Sequence, residues 1–206
     1  MTGLQGKFVV LDGGEGCGKS TQIELLRRDV EAGGIPVKVV RDPGATTIGE
    51  RIRQILLSPE YHQMSMRCEM LLYMAARAQM MKEAILPSLG EGKLVISDRF
   101  VSSTLAYQLG GDGLTSADIK AVAEIAICGR WPDLTILLDM PPAESAKRIQ
   151  RDKDRIEQRP LEYHVQVREN YLAQAIADPV HYRVIAAAGE REAVHGAIMK
   201  AIKEIA

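Results

Sequence analysis

The stretch Gly13-Gly14-Glu15-Gly16-Cys17-Gly18-Lys19-Ser20-Thr21 decides the fold of this chain. It fits the phosphate-binding consensus G-x-x-x-x-G-K-[ST], in which a glycine-rich loop joins a strand to a helix. An apolar run at residues 7–11 precedes the loop, and residues with helical spacing follow it as far as residue 31. The alternative, a glycine-rich turn with a chance Lys-Ser pair, does not account for this strand–loop–helix context.

The residue types of this stretch suit a triphosphate. Glycines let the backbone curl so that successive N–H groups point inward at an anion, and the helix that follows adds its N-terminal dipole. Lys19 can reach the β- and γ-phosphates, while the Ser20 hydroxyl can hold Mg²⁺, a hard ion that prefers oxygen ligands. We therefore expect residues 13–21 to bind a nucleoside triphosphate.

Length and composition narrow the class of protein. A chain of 206 residues, 46% hydrophobic and 26% charged, suits one soluble globular domain. The net charge of −1 provides no basic field, so we expect no nucleic-acid partner. Three widely spaced cysteines suggest a reducing compartment. Neither a long apolar leader nor a run of about 18 apolar residues is present, so we expect a cytoplasmic protein without a membrane segment.

Further apolar runs alternate with helical stretches along the chain. We predict additional strands at residues 36–40, 93–97, 134–138 and 182–186, with helices between them, including 48–57, 65–86, 102–109, 142–152, 163–177 and 190–205. Helical crossovers between strands imply a parallel sheet covered on both faces. The prediction is an α/β fold of three layers, with five parallel strands.

Charged residues follow the predicted strands at the edge where such sheets bind ligands. Arg41 follows the second strand, and Asp98-Arg99 follows the third. These residues could serve phosphate and metal; the alternatives are a solvated arginine at the strand end and a routine salt bridge. Arg77 lies on the apolar methionine face of the helix at residues 65–86. It needs a partner there, either a ligand or a structural ion pair.

The segment at about residues 148–160 is dense in charge and rich in arginine. Its charges alone suit a solvated helix surface. They also suit a short lid whose arginines close over phosphates.

A nucleotide-binding loop does not by itself define a reaction. A GTPase switch should carry Asn-Lys-x-Asp after a late strand, but the fourth strand ends in Asp139-Met140-Pro141. An ATPase motor should carry added domains, for which this chain is too short. The supply of arginine favours a small-molecule kinase, because phosphoryl transfer depends on positioning and charge neutralisation.

Nearly the whole chain resembles the bacterial thymidylate kinases. Besides Asp12 and the loop, the resemblance is carried by Arg41-Asp42-Pro43-Gly44, by residues 72–79 (Leu-Tyr-Met-Ala-Ala-Arg-Ala-Gln), by Ser97-Asp98-Arg99-Phe100, by residues 103–108 (Ser-Thr-Leu-Ala-Tyr-Gln), by Pro132-Asp133-Leu134-Thr135 and by Asp154-Arg155-Ile156-Glu157. The order and spacing of these stretches make the resemblance specific.

The resemblance implies transfer of the γ-phosphoryl group of ATP to dTMP, giving dTDP and ADP with Mg²⁺. It implies that Glu15 holds the sugar 3′-hydroxyl and that Arg41 and Arg99 surround the acceptor phosphate. Asp98 matches the Asp-Arg signature near the metal, where Ser20 also acts.

The resemblance also assigns the nucleobase contacts. Tyr73 stands where the family usually has a phenylalanine stacked on thymine, and Arg77 matches the arginine that contacts the base edge. Thr104 and Gln108 occupy positions that approach the base. Tyr107 matches the residue packed near the sugar 2′ position.

The phosphate loop itself holds no arginine, and bacterial members with that feature carry the catalytic arginine in the lid. This favours the lid interpretation of residues 148–160, with Arg155 as the expected catalytic residue and Arg151 behind it. The resemblance further implies one domain over residues 1–206 and a homodimer. A kinase for another nucleoside monophosphate and a non-catalytic nucleotide-binding regulator remain as competing hypotheses.

Overall fold

A computed structural model describes residues 2–206 and contains the expected parallel sheet. Within those residues five strands lie in the order β2-β3-β1-β4-β5, and every neighbouring pair is parallel. The strands are β1 Phe8–Asp12, β2 Val37–Arg41, β3 Leu94–Asp98, β4 Leu134–Asp139 and β5 Tyr182–Ala186. The predicted α/β sheet is thereby confirmed, with bounds that differ by one residue at most ends.

Helices connect successive strands. They are α1 Lys19–Ala32, α2 Thr47–Leu57, α3 Met66–Met80, α4 Leu86–Gly90, α5 Val101–Tyr107, α6 Ser116–Ala126, α7 Pro142–Ser145, α8 Leu161–Ala177 and α9 Arg191–Lys203. The single helix predicted over residues 65–86 is interrupted by a π-helical turn, Met81–Ile85, so that α4 can begin with Pro87 in its first turn. Proline suits that position because it has no N–H to donate.

The helix predicted over residues 142–152 is much shorter in the structure. α7 ends at Ser145, a 3₁₀ turn covers Ala146–Arg148, and Ile149 is extended. A second turn then forms because the Asp154 carboxylate accepts hydrogen bonds from the backbone N–H groups of Ile156 and Glu157, at 2.9 and 3.0 Å. Residues 146–158 therefore form two turns joined by a stretch without regular secondary structure.

Two hydrophobic cores lie on opposite faces of the sheet. Along β1, Val9 and Leu11 face the core that packs against α1 and α9, while Phe8 and Val10 face the core that packs against α3, α5 and α6. This alternation is the period of two that a strand imposes. The methionines of α3 belong to the second core, since Met70, Met74 and Met80 are buried there. The helices on both faces confirm three layers.

The register of the sheet brings the predicted site residues to one edge. Asp98 pairs with Leu11 on one side and with Arg41 on the other, so the ends of β1, β2 and β3 are level. No helix within residues 2–206 combines the length and the apolar composition needed to cross a membrane.

Candidate active site

The glycine-rich loop curls between β1 and α1, and at two of its positions only glycine fits the backbone shape. Gly13 has φ 137° and Gly16 has φ 71°. A Cβ atom at Gly13 would lie 2.5 Å from the carbonyl oxygen of Leu138, and one at Gly16 would lie 2.6 Å from that of Ser145. The loop thus lies directly against the end of β4 and the end of α7.

Lys19 curls back over this loop. Its Nζ atom donates to the carbonyl oxygens of Gly13 at 3.1 Å and Gly14 at 2.8 Å. The ammonium group is therefore held above the loop, with only 8% of the residue exposed. A lysine in this position can exchange its carbonyl partners for phosphate oxygens without moving its backbone.

A cavity of about 620 Å³ opens beside the loop at the carboxyl edge of the sheet. It brings together nearly all the residues that the sequence singled out. The predicted site residues on its wall are Glu15, Gly16, Gly18, Lys19, Ser20, Thr21, Arg41, Tyr73, Arg77, Asp98, Arg99, Thr104, Tyr107, Gln108 and Arg151. Arg155 is not among the residues that line this cavity.

Arg99 joins the tip of β3 to the glycine-rich loop. Its backbone has φ 70°, an uncommon conformation outside glycine. Its Nη2 atom lies 2.5 Å from Oε1 of Glu15, and its Nη1 atom donates to Ser103 Oγ at 3.0 Å. Burial alone would raise the pKa of Glu15, but the charges of Arg99 and Lys19 outweigh it and hold the pKa below 4.5. Glu15 is therefore ionised at neutral pH.

Asp12 supports this arrangement from beneath, a role that sequence reasoning missed. Its fully buried carboxylate accepts hydrogen bonds from Ser102 Oγ at 2.6 Å, Ser103 Oγ at 2.8 Å and Tyr171 OH at 2.6 Å. It also lies 3.4 Å from Nη1 of Arg99. The signal that could have identified it is a carboxylate at the carboxyl end of a buried strand, immediately before the loop.

Arg77 lies at the floor of the cavity and is 1% exposed. It forms an ion pair with Asp42 at 2.6 Å and donates to the carbonyl oxygen of Phe100 at 3.0 Å. Thr104 Oγ1 is 3.4 Å from its Nη2 atom. The structural ion pair considered from the sequence is therefore present, and it holds the guanidinium group where it still lines the cavity.

Two tyrosines contribute to the walls. Burial raises the pKa of Tyr73 and of Tyr107 above the usual value for a phenol, so both hydroxyls keep their protons. The guanidinium carbon of Arg99 lies 5.2 Å from the centre of the Tyr107 ring, and Nη2 lies 3.3 Å from the Tyr107 hydroxyl. Arg41, by contrast, is an exposed residue whose Nη2 atom lies 3.1 Å from Glu50 Oε1.

The lid arginines separate into two groups. Arg148 and Arg151 line the cavity, and Arg151 forms a two-point ion pair with Glu157 at 2.7 and 2.8 Å while remaining largely exposed. Arg155 is 6% exposed, and its Nη2 atom lies 2.6 Å from Glu69 on α3. In this structure Arg155 is paired with the buried Glu69 and does not line the cavity, and its expected catalytic role stays a prediction.

The cavity also offers oxygen ligands for a hard cation. Asp98 Oδ1 is buried and has no hydrogen-bond partner among residues 2–206, and Ser20 lies on the same wall. No cluster of three or more His, Cys, Asp or Glu residues that could hold a metal occurs in that part of the chain. Few protein ligands are what Mg²⁺ needs when phosphates and water complete its coordination. Asp98 and Ser20 therefore fit a nucleotide-bound Mg²⁺.

The parallel sheet, the glycine-rich loop with Lys19 and the arginine-lined cavity beside it define a P-loop kinase that acts on a nucleoside monophosphate. The family model described as thymidylate kinase matches residues 11–198. The chain belongs to the thymidylate kinase family, as its resemblance implied, and it uses ATP to phosphorylate dTMP to dTDP.

Individual relatives show the same similarity. The thymidylate kinase of Pelotomaculum thermopropionicum is 44% identical, over 98% of this chain and 95% of the relative. That of Caldanaerobacter subterraneus subsp. tengcongensis is 42% identical, over 98% and 97%. The crystal structure of thymidylate kinase from Ehrlichia chaffeensis superposes with a TM-score of 0.80 at 27% identity, covering 97% of this chain and 99% of that one.

Proposed function

We propose that the described cavity performs the transfer directly, from ATP bound at the glycine-rich loop to the 5′-phosphate of dTMP bound beside Arg99. The observation that carries this proposal is the contact between Arg99 and Glu15, because it joins the donor loop to the acceptor cavity. The acceptor phosphate is already an anion at neutral pH. The enzyme therefore needs charge neutralisation and alignment rather than a strong general base.

On the donor side, the backbone N–H groups of residues 13–21 hold the phosphates and Lys19 neutralises the β- and γ-phosphates. Asp98 and Ser20 would hold Mg²⁺, which when bound shields the phosphate charge and orients the transferred group. The buried, unpartnered oxygen of Asp98 supports this assignment.

On the acceptor side, Arg99 and Arg41 bind the phosphate, and Glu15 accepts a hydrogen bond from the sugar 3′-hydroxyl. Glu15 suits this role because its pKa is held below its usual value, so it is an acceptor at neutral pH. Tyr107 packs beside Arg99 at the sugar, which supports its assignment near the 2′ position.

We assign the nucleobase to Tyr73, Arg77, Thr104 and Gln108, which all line the cavity. Tyr73 offers an aromatic face for stacking. Arg77 is pre-positioned by Asp42, so little rotamer freedom is lost when the base binds.

In the lid, the cavity-facing position of Arg151 supports a role in stabilising the charge that develops during transfer. Arg155, the residue that the sequence favoured, is assigned instead to anchoring the lid. Closure of residues 148–160 over the phosphates would exclude water and limit hydrolysis of ATP.

We further propose that the chain is one domain that works as a homodimer. The methionines of α3 are core residues, so the interface must use other apolar side chains. Ile48 and Ile55 on α2, Leu71 on α3 and Ile125 on α6 are exposed, and α3 packs against both α2 and α6. Sedimentation analysis of Leu71→Glu would test this, since a variant as dimeric as wild type would exclude Leu71 from the interface.

The substrate assignment is tested by measuring ADP production with ATP and each of dTMP, dUMP, UMP, CMP, AMP and GMP. Strong preference for dTMP is expected. Preference for another monophosphate would overturn the substrate assignment, and activity with none of them would favour a nucleotide-binding regulator.

A further inference from the structure

Glu69 is a fully buried carboxylate on α3 that the proposed mechanism does not use. Its Oε2 atom accepts hydrogen bonds from Nη2 of Arg155 at 2.6 Å and from Nη2 of Arg159 at 2.8 Å. Its Oε1 atom accepts a hydrogen bond from Nε2 of Gln108 at 2.7 Å. One carboxylate thus connects two lid arginines to a residue of the nucleobase wall.

The contact with Glu69 fixes which way the Gln108 amide is turned. A carboxylate paired with two guanidinium groups accepts hydrogen bonds and has none to donate, so the amide nitrogen must face it. Gln108 is 1% exposed and lines the cavity. Its Oε1 atom takes no hydrogen bond from any residue in the described part of the chain. The carbonyl oxygen is therefore the free end of this amide.

Gln108 lies close to the other residues that we assign to the nucleobase, so the orientation of its amide matters for base recognition. Thr104 and Gln108 lie one helical turn apart at the end of α5, and Thr104 approaches the guanidinium group of Arg77. Glu69 precedes Tyr73 by four residues on α3, which places both on the same side of that helix. The amide oxygen is thus presented beside the residues proposed to hold the nucleobase.

Pyrimidines differ at the atom that such an amide can recognise. Thymine carries a hydrogen on N3 and donates it, whereas the unprotonated N3 of cytosine accepts a hydrogen bond. A fixed carbonyl oxygen accepts a hydrogen bond from N3–H of thymine, whereas it cannot form a hydrogen bond with the acceptor N3 of cytosine. A buried polar atom left unpaired discriminates between the two bases by roughly 5- to 150-fold.

We propose that Glu69 is a specificity-determining positioning residue: it fixes the Gln108 amide with its carbonyl oxygen toward the base, so that the pocket selects a pyrimidine with N3–H. Arg155 and Arg159 contribute by occupying the other oxygen of Glu69, which leaves Oε1 for the Gln108 amide. This inference rests on the proposed placement of the nucleobase against Gln108.

The test replaces Glu69 by glutamine, which has nearly the same shape but can both donate and accept. In Glu69→Gln the Gln108 amide can turn over. The kcat/KM values for dTMP and dCMP, measured on the same preparation, should therefore move toward each other. The dTMP:dCMP ratio should fall at least about fivefold, mainly through a higher KM for dTMP. Loss of folded enzyme affects both substrates equally and cancels in the ratio. Glu91→Gln, the same change at an exposed glutamate, should leave the ratio unchanged.

A double-mutant cycle separates positioning from a general structural effect. In a Gln108→Met background there is no amide to orient, so adding Glu69→Gln should change the ratio by less than about twofold. If Glu69→Gln does not fold, the pair Glu69→Leu/Arg155→Leu removes the buried carboxylate together with its most buried partner, and the same fall in ratio is expected.

An unchanged ratio in Glu69→Gln, or an equal fall with and without Gln108, would overturn the inference. A wild-type enzyme with no activity on dTMP would instead overturn the proposed function, so the two failures are distinguishable.

Discussion

Nη2 of Arg99 and Oε1 of Glu15 lie 2.5 Å apart, although 84 residues separate them in the sequence. Arg99 directly follows β3, and Glu15 belongs to the glycine-rich loop. Their ion pair holds in position both the arginine proposed to bind the acceptor phosphate and the carboxylate proposed to bind the acceptor sugar. This contact and the residues around it account for several measurable properties.

The first is the pH dependence of stability. Burial raises the pKa of Glu15, but the positive charges of Arg99 and Lys19 lower it by more than burial raises it. The folded-state pKa of Glu15 therefore lies below 4.5. A group of this kind stabilises the fold above its unfolded pKa and loses that contribution as the pH falls through its folded pKa. Urea denaturation of wild type and Glu15→Gln should therefore show a stability difference that is constant from pH 7 to about 5 and closes below about 4.5. Exposed Glu162→Gln should show no such gap, and a Glu15→Gln gap that widened in acid would contradict the assignment.

Lys19 should be indispensable for turnover. Lys19→Ala removes the cation held over the loop by Gly13 and Gly14, and we expect kcat/KM to fall by roughly 10³-fold or more, as for loss of a charge that stabilises a phosphoryl transition state. Steady-state kinetics with ATP and dTMP provide the measurement. Lys38→Ala, at an exposed position of β2, is the control. Near-normal turnover in Lys19→Ala would remove the loop from the mechanism.

Arg151 and Arg155 should behave differently when truncated. Arg151→Ala should lower kcat by roughly 10²-fold, because it removes a cation from the cavity. It should cost less stability than Arg155→Ala, because Arg151 is largely exposed and its truncation opens the buried Glu157 to water. Arg155→Ala leaves buried Glu69 without one of its two charged partners, so we expect a loss of about 3–5 kcal/mol.

Chemical denaturation and kinetics on the same samples separate these two roles. Lys147→Ala, an exposed change nearby, should alter neither property. If Arg155→Ala were fully stable and catalytically impaired while Arg151→Ala was active, Arg155 rather than Arg151 would be the catalytic arginine of residues 148–160.

Asp98 should control the demand for Mg²⁺. Asp98→Asn keeps the side-chain shape but removes the charge next to the proposed ion. The Mg²⁺ concentration for half-maximal activity should rise by roughly 10-fold or more at fixed ATP and dTMP. A Mg²⁺ titration of the reaction rate measures this. An unshifted titration with reduced kcat would exclude Asp98 as a metal ligand and leave it a structural residue.

The sequence predicted the sheet, the glycine-rich loop and most of the cavity because these depend on short-range patterns. Arg41 and Asp98 each follow an apolar run, and the register of parallel strands then places them side by side. Arg77 was identifiable because a charge on an apolar helix face needs a partner. The identity of that partner, Asp42, was not encoded in any local spacing.

The different positions of the lid arginines could not be predicted from the sequence. Arg151 and Arg155 have the same residue type and similar neighbours, so charge density could not separate them. What separates them is Glu69, a residue 86 positions before Arg155. Glu69 precedes Tyr73 and Arg77 at intervals of four, so its helix face was predictable, but the segment that would meet it in the folded chain was not.

The fastening of Arg155 also bears on which changes of length the lid could tolerate during evolution or engineering. The backbone N–H of Arg155 donates to the carbonyl oxygen of Leu57, and its Nε atom donates to that of Leu56. The part of the lid that follows Asp154 is therefore hydrogen-bonded to the end of α2. Residues added or removed between Arg148 and Asp154 would alter only the part of the lid that is not bound to α2. The same change between Asp154 and Arg159 would disturb the contacts of Arg155 and Arg159 with Glu69. Natural variation in lid size should therefore accumulate on the first side of Asp154.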